Sequence, residues 1–142
     1  MAQADLMQEG LQYLLEAAFS KTQTPPVNFY LGLCTDTSLA ENANLAAVHE
    51  ITGTNYARIA VASSVVGFPT SATAGTLDWH TKTKDCVFTG DAANDWQGAV
   101  GAFLATSSDN SGKLIAYATL GATRTLLNGD TLTVSLDIQL NG

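Results

Sequence analysis

The chain has 142 residues and a formal net charge of −7, since thirteen Asp and Glu outweigh six Lys and Arg. This length fits a single domain with its own core, and the charge repels phosphate, which excludes sequence-independent binding of nucleic acid. Charged residues make up only 13% of the chain. No apolar run is long enough to span a bilayer, and the first residues lack the pattern of a secretion signal. We therefore expect the chain to fold in the cytoplasm.

The first predicted element is an amphipathic helix from Asp5 to about Ser20. Apolar residues recur there at three- and four-residue steps, Asp5 suits an N-cap, and the helix must end before Pro25. No second helix offers a partner, so this one packs on the sheet or on another molecule. Deleting residues 1–20 should leave a folded monomer if the helix docks on a neighbour, and an insoluble product if it caps the core. The apolar stripe consists of Leu6, Met7, Leu11, Leu14, Leu15, Ala18 and Phe19.

The rest of the chain, residues 25–142, is predicted to be an all-β body that follows the helix and linker of residues 1–24. From Thr131 to Leu140 five apolar residues alternate with five polar ones, so one face covers a core and the other meets water or a partner. The segment Trp96–Ala105 is apolar on both faces and predicts a central, covered strand, whereas Gly and Pro interrupt Ser63–Trp79. The expected fold is an antiparallel two-sheet β-sandwich of six or seven strands. Further strands are predicted at Val27–Cys34, Tyr56–Ala62, Lys84–Phe88 and Lys113–Leu120.

The sequence contains no arrangement typical of an enzyme or a metal site. The histidines, His49 and His80, lie outside zinc-binding spacings, and His80, two residues after Asp78, is interpreted as a solvated loop residue. The acidic loop Asp91–Asp95 fails a calcium pattern because Ala93 takes one of the alternating ligand positions. The two cysteines form neither a disulfide framework nor a four-ligand zinc site. We therefore expect no catalysis, no cofactor and no metal.

Five aromatic residues with polar tips are candidates for a sugar-binding face. Such rings stack on pyranose sugars, but they also fill cores and oligomer interfaces. We favour a place in the core or at an interface. The five are Tyr30, Tyr56, Trp79, Trp96 and Tyr117.

Two groups of segments carry a resemblance to a known family. The first joins Phe29–Leu33, which contains Leu-Gly-Leu, to Glu50–Arg58, a pattern of acid, aliphatic, any residue, Gly, two residues, Tyr, Ala and Arg. The second consists of Trp96–Ala105, Gly112–Tyr117 and Asn128–Leu132. In this order the segments resemble the small virion-associated proteins of tailed bacteriophages, of the tail-fibre-like, minor structural or decoration type. The resemblance covers residues 27–140.

The resemblance implies a non-enzymatic structural component of a tailed-phage virion. The low charge and the unpartnered helix fit a symmetric homo-oligomer that gains stability from its neighbours. The place of the protein on the virion stays open: it is either a capsid decoration or cement protein, or an accessory subunit of the neck or tail. Its expected partners are major capsid, neck or tail proteins. The alternatives are a receptor-binding tail module that recognises host surface glycan, and a cell-wall hydrolase that uses His80 or Asp78.

Within the matched segments, Tyr56 and Arg58 are predicted to lie on one face of a strand. Arg58 is expected to pair with Glu50 and so tie down the irregular segment between two strands. Phe103 and Trp96 are the expected core or interface anchors. The residues predicted to mediate interactions are Leu11, Leu14, Leu15, Phe19, Glu50, Tyr56, Arg58, Trp79 and Trp96.

Overall fold

The computed structural model describes residues 2–72 and 78–141, with side chains over 4–69 and 80–139. Within these ranges no helix is long and apolar enough to cross a membrane. The helical elements are α1 (Gln8–Leu15), a π-helix (Glu16–Ser20) that continues it, and a 3₁₀ helix (Leu45–Ala47). The strands are β1 (Ala2–Leu6), β2 (Asn28–Cys34), β3 (Ile59–Ala62), β4 (Thr70–Ala72), β5 (Asp78–Lys82), β6 (Cys86–Thr89), β7 (Ala99–Ala105), β8 (Leu114–Arg124), β9 (Thr131–Val134) and β10 (Leu136–Asn141).

Eight of the strands form one sheet in the order β3-β2-β7-β8-β1-β10-β5-β4, and β6 pairs with β9 in a two-stranded ribbon. The ribbon contributes Cys86, Phe88 and Val134 to the same hydrophobic cluster that holds Leu31 and Leu104 of the large sheet. The predicted all-β class is therefore confirmed. The two-sheet sandwich stays a prediction.

The central strand predicted within Trp96–Ala105 is confirmed as β7, which lies between β2 and β8. Its side chains alternate between two buried clusters: Ala102 and Leu104 join the cluster shared with the ribbon, and Phe103 packs on the opposite face. The segment between β2 and β3 covers that opposite face with Leu45 and Val48. Both faces of β7 are thus removed from water, as an apolar run on both faces predicts.

The N-terminal prediction was wrong in its boundary, because a strand precedes the helix. Residues 2–4 pair in parallel with β10, and Asp5 pairs with Tyr117 of β8. Asp5 is therefore a strand residue and not an N-cap. That position falls to Met7, which has no side-chain cap and whose N–H donates to the Ile115 carbonyl at 2.9 Å. The first strand joins the two halves of the large sheet.

The helix contacts the sheet through Gly10 and Tyr13, not through its leucines. A Cβ at Gly10 would collide with the carbonyl oxygen of Ile115, so glycine permits the close approach of helix and sheet. Tyr13 is 5% exposed and its ring meets Phe29 edge to face at 6.4 Å. Because this pair of residues faces inward, the leucine stripe of the helix is left outside.

The prediction of an uninterrupted final strand was also wrong, because the chain changes its pairing partner at Ser135. Up to Val134 it pairs with β6, and from Leu136 onwards it pairs with β1 and β5. The Thr83 hydroxyl accepts a hydrogen bond from the Leu136 N–H at 2.9 Å and fixes this change of partner. Ser135 and Asp137 are 5% and 6% exposed, so the polar face is covered at this point and does not meet water.

The stretch Ser63–Trp79 was predicted to lack regular structure. Instead it contributes β4 and the first residues of β5, which pair with each other as Ala72 with Trp79 and Thr70 with Thr81. Residues 73–77, with Gly75 among them, lie outside the described part of the chain.

Candidate functional site

The best-defined polar cluster is built around Arg58, which lies in the loop that leads into β3. The predicted strand start at Tyr56 was wrong, because β3 begins at Ile59. The Nε and Nη2 atoms of Arg58 donate to Oε1 and Oε2 of Glu50 at 2.9 and 2.7 Å, which is a bidentate ion pair. The Arg58 side chain is 3% exposed and that of Glu50 is 25% exposed. The predicted Glu50–Arg58 pair is therefore formed.

The remaining donors of Arg58 reach the turn between β7 and β8. Nη1 donates to the carbonyls of Ser107 and Asp109, and Nη2 donates to Oδ1 of Asn110 at 2.7 Å. The guanidinium also lies over the Phe103 ring, 5.0 Å from its centroid. All five N–H groups of arginine are then engaged. Arg58 is therefore a clamp between two loops and has no donor left for a ligand.

Tyr56 links this clamp to the core. Its hydroxyl accepts from the Leu33 N–H at 2.8 Å and donates to Oε1 of Glu50 at 3.0 Å. Its ring stacks on Phe88 and meets Trp96 edge to face. Burial raises the pKa of Tyr56 well above its usual range, and the nearby Glu50 carboxylate adds to the effect.

Alkaline pH is expected to destabilise the protein through Tyr56 and a second tyrosine, Tyr117. Burial above all raises the pKa of Tyr117 to about 12. The unfolded chain releases both protons near pH ~10 while the folded chain retains them, so stability is complete below about pH 10 and falls as the pH rises towards 12. Urea midpoints measured from pH 8 to 12 should show this loss. Tyr117→Phe should make the dependence shallower, and an unchanged slope would contradict the assignment.

Trp96 anchors a contact between the loop before β3 and the loop before β7. It is 7% exposed, its Nε1 donates to the Thr54 carbonyl at 2.7 Å, and Gly53 lies so close that a Cβ there would collide with the indole. Oδ1 and Oδ2 of Asp95 accept from the N–H and hydroxyl of Thr54 at 2.8 and 2.6 Å. These bonds lower the pKa of Asp95. The expected anchoring role of Trp96 is thus met within the protomer.

The acidic loop Asp91–Asp95 makes turn contacts. Oδ2 of Asp91 accepts from the Asn55 amide at 2.8 Å, and Oδ1 of Asn94 accepts from the Asn128 N–H at 2.7 Å. Over the described residues, no group of three or more His, Cys, Asp or Glu is placed to hold a metal ion. The oxygens of this loop hold neighbouring loops together.

The two histidines each meet a carboxylate. His49 is 78% exposed, and its Nδ1 lies 2.7 Å from Oδ1 of Asp36. His80 was interpreted as a solvated loop residue, which was wrong: it lies in β5, is 22% exposed, and its Nδ1 lies 2.8 Å from Oδ1 of Asp137. The side chain of Asp78, the partner considered from the sequence, lies outside the described part. The sequence contains one signal for the observed partner of His80: Asp137 is the only acidic residue in the alternating segment Thr131–Leu140.

The four aromatic candidates whose side chains are described do not share one surface. Trp96 and Tyr117 are buried, and the Tyr117 hydroxyl donates to the Asp36 carbonyl at 2.7 Å. Tyr56 is partly buried in the clamp and Tyr30 is partly buried in β2. The side chain of Trp79 lies outside the described part. Core packing is thus the role of Trp96 and Tyr117.

The predicted helix residues form an exposed apolar surface. We call Leu11, Leu14, Leu15 and Phe19 the helical stripe; their exposed fractions are 41%, 38%, 58% and 81%. Glu16 lies beside the stripe, where Gln12 and Gln23 donate to its carboxylate at 2.8 and 3.1 Å. The stripe therefore presents apolar side chains next to a single carboxylate that already has partners.

The comparisons with known proteins gave one finding. Residues 10–139 match the family model described as "Podophage GP4 fiber I protein gp80". A search of curated proteins found no match.

Proposed function

Since the chain belongs to the family of podophage GP4 fiber I protein gp80, we propose that it is a structural subunit of a tailed-phage fibre, attached at the neck or tail. Membership of a phage fibre family makes it a virion protein that associates with other virion proteins. A fibre position is favoured over capsid cement because the family is described by its fibre. The role follows from assembly and needs no catalytic centre.

The observation that carries the proposal is the exposed helical stripe. Fully burying a leucine or phenylalanine side chain contributes roughly 1.5–3 kcal/mol, and four such side chains stand outside the protomer core. Apolar patches of this kind mark interaction surfaces in soluble proteins. The protomer alone therefore leaves a stabilising contact unmade.

We assign the stripe to a neighbouring copy of the same chain. Its members recur at three- and four-residue steps, the spacing at which helices pack on one another. Glu16, the adjacent carboxylate, has hydrogen-bond partners within its own protomer, so two stripes can meet without an unpaired charge between them. Closed contacts of this kind give a symmetric homo-oligomer, as the sequence led us to expect.

Substituting one residue of the stripe tests the proposal. Leu15→Lys should keep the circular dichroism spectrum of the parent, because Leu15 is 58% exposed and Lys is a good helix former. It should sediment as a monomer and fall at least about tenfold in virion incorporation, the factor that a loss of about 1.4 kcal/mol of contact energy gives. Its matched control is Leu127→Lys, at a leucine that is 51% exposed outside the helix.

Normal oligomers and normal incorporation of Leu15→Lys would contradict the proposal. The position on the particle is read separately, by gold labelling of purified virions. Label at the neck or tail supports the fibre assignment, whereas label spread evenly over the head would replace it with capsid cement.

A further inference from the structure

A groove runs along one side of β9. The strand pairs with β6 through one edge, and its other edge makes no backbone hydrogen bond to the described residues. Two adjoining cavities, of about 320 and 360 Å³, follow this open edge, and both are bounded on the far side by the end of β8. We call this feature the β9 groove. It is lined by Thr119, Leu120, Arg124, Leu132, Thr133 and Ser135.

A bulge in β8 accounts for the space. Gly101 pairs with Thr119, but Ala99 pairs with Arg124, so four residues of β8 lie opposite one residue of β7. Gly121, within the bulge, has a φ of +78°, a left-handed conformation that glycine adopts without strain. Bulges of this kind bend a strand away from its neighbours. Here the bend forms the wall of the groove.

Arg124 is the one cation lining the groove. Within the described residues its side chain makes no hydrogen bond or ion pair, although the chain carries a net charge of −7. Asp130 lines the far end, but its Oδ2 accepts from the Leu127 N–H at 3.0 Å inside a turn. Arg124 is therefore free to pair with a carboxylate brought by a partner.

We propose that an extended segment of another virion protein adds as a strand to the open edge of β9, with a carboxylate of that segment bound by Arg124. The inference rests on the proposed function, since it assumes a place in the virion. An open strand edge is matched by a polypeptide backbone, and alternate side chains of the added strand enter the adjoining groove. Leu120 and Leu132, both half-buried, offer an apolar contact to those side chains.

The shape of the groove favours a lone segment over a second folded copy. β8 bounds the side opposite β9, and a single extended segment enters such a bounded groove more readily than the edge of a whole sheet. An arm or loop of a different protein can supply such a single extended segment.

The test compares amide hydrogen exchange of the isolated protein with that of the protein in purified virions. Outward-facing amides of Thr131–Val134 should exchange at least about tenfold more slowly in the virion. Arg124→Glu should abolish this protection, and Lys21→Glu, at an exposed lysine elsewhere, should not. A benzophenone amino acid at position 133 should cross-link to a different virion protein. The same group at position 27, where the side chain is 86% exposed and lies outside the groove lining, should not.

Equal exchange of β9 in both forms, retained protection in Arg124→Glu, or cross-links only to a second copy would each overturn the inference. Absence of the chain from virions would overturn the proposed function and this inference together. Presence of the chain with an unprotected β9 would overturn this inference alone.

Discussion

Replacing Arg58 with alanine is expected to lower the free energy of unfolding by about 3–5 kcal/mol, the cost of removing one partner from a buried ion pair. The Glu50 carboxylate would lose a bidentate partner, and the turn at residues 107–110 would lose three acceptor contacts. Because Glu50 is 25% exposed, water can solvate it in part, which places the expected cost near the lower end. Urea denaturation of parent and variant measures the difference.

Two further variants separate the clamp from a simple charge effect. Arg58→Lys keeps the positive charge but lacks the planar fork, so it should recover only part of the loss. Lys113→Ala removes a solvent-exposed pair, in which Nζ lies 3.4 Å from Oε1 of Glu9 and Lys113 is 49% exposed. Exposed pairs contribute about 0–1 kcal/mol. Similar losses for Arg58→Ala and Lys113→Ala would contradict the clamp.

Patterns local to one strand predicted the structure well. The segment that became β7 was identified because its apolar residues fall on both faces, and only a strand covered on both sides has that pattern. The Glu50–Arg58 pair was found because the two residues flank one short loop. The other half of the clamp, the turn at 107–110, lies about fifty residues further along the chain, and no local spacing points to it.

Periodicity identified the apolar stripe of the helix but could not tell which way the stripe faces. Four of its members point outwards, and the inward contact depends on Gly10, which is not part of the apolar pattern. A glycine needed for close approach has no periodic signal. The strand before the helix was missed for a related reason: residues 2–6 are ordered by pairing with β8 and β10, and both partners lie more than a hundred residues away.

The pairing of His80 with Asp137 shows the same limit at a single contact. The two residues are 57 positions apart and come together because β5 and β10 are neighbours in the sheet. Alternation placed Asp137 on the polar face of its strand, but the residue is only 6% exposed and contacts His80 of the neighbouring strand, and such burial is set by tertiary packing. Local sequence thus predicts what each strand presents, whereas tertiary structure decides what it meets.

Deleting residues 1–20 is expected to give an insoluble, unfolded product, whatever the helix contacts. The deletion removes β1, which lies between β8 and β10 and, among the described residues, is the strand through which the two halves of the eight-stranded sheet pair. It also removes Ala4, Met7 and Tyr13, which are 3%, 2% and 5% exposed. Solubility, circular dichroism and sedimentation of the truncated chain measure the result.

The deletion alone therefore does not show whether the helix docks on a neighbour, and a second variant is needed to separate the two roles. Substituting the whole helical stripe, as Leu11→Gln, Leu14→Gln, Leu15→Lys and Phe19→Gln, keeps β1, Gly10 and Tyr13 in place. Gln and Lys have helix propensities close to that of Leu, so this variant should be soluble, folded and monomeric while the deletion is not. If both products are insoluble, the stripe belongs to the protomer's own core. A truncated chain that folds would show that β1 is dispensable.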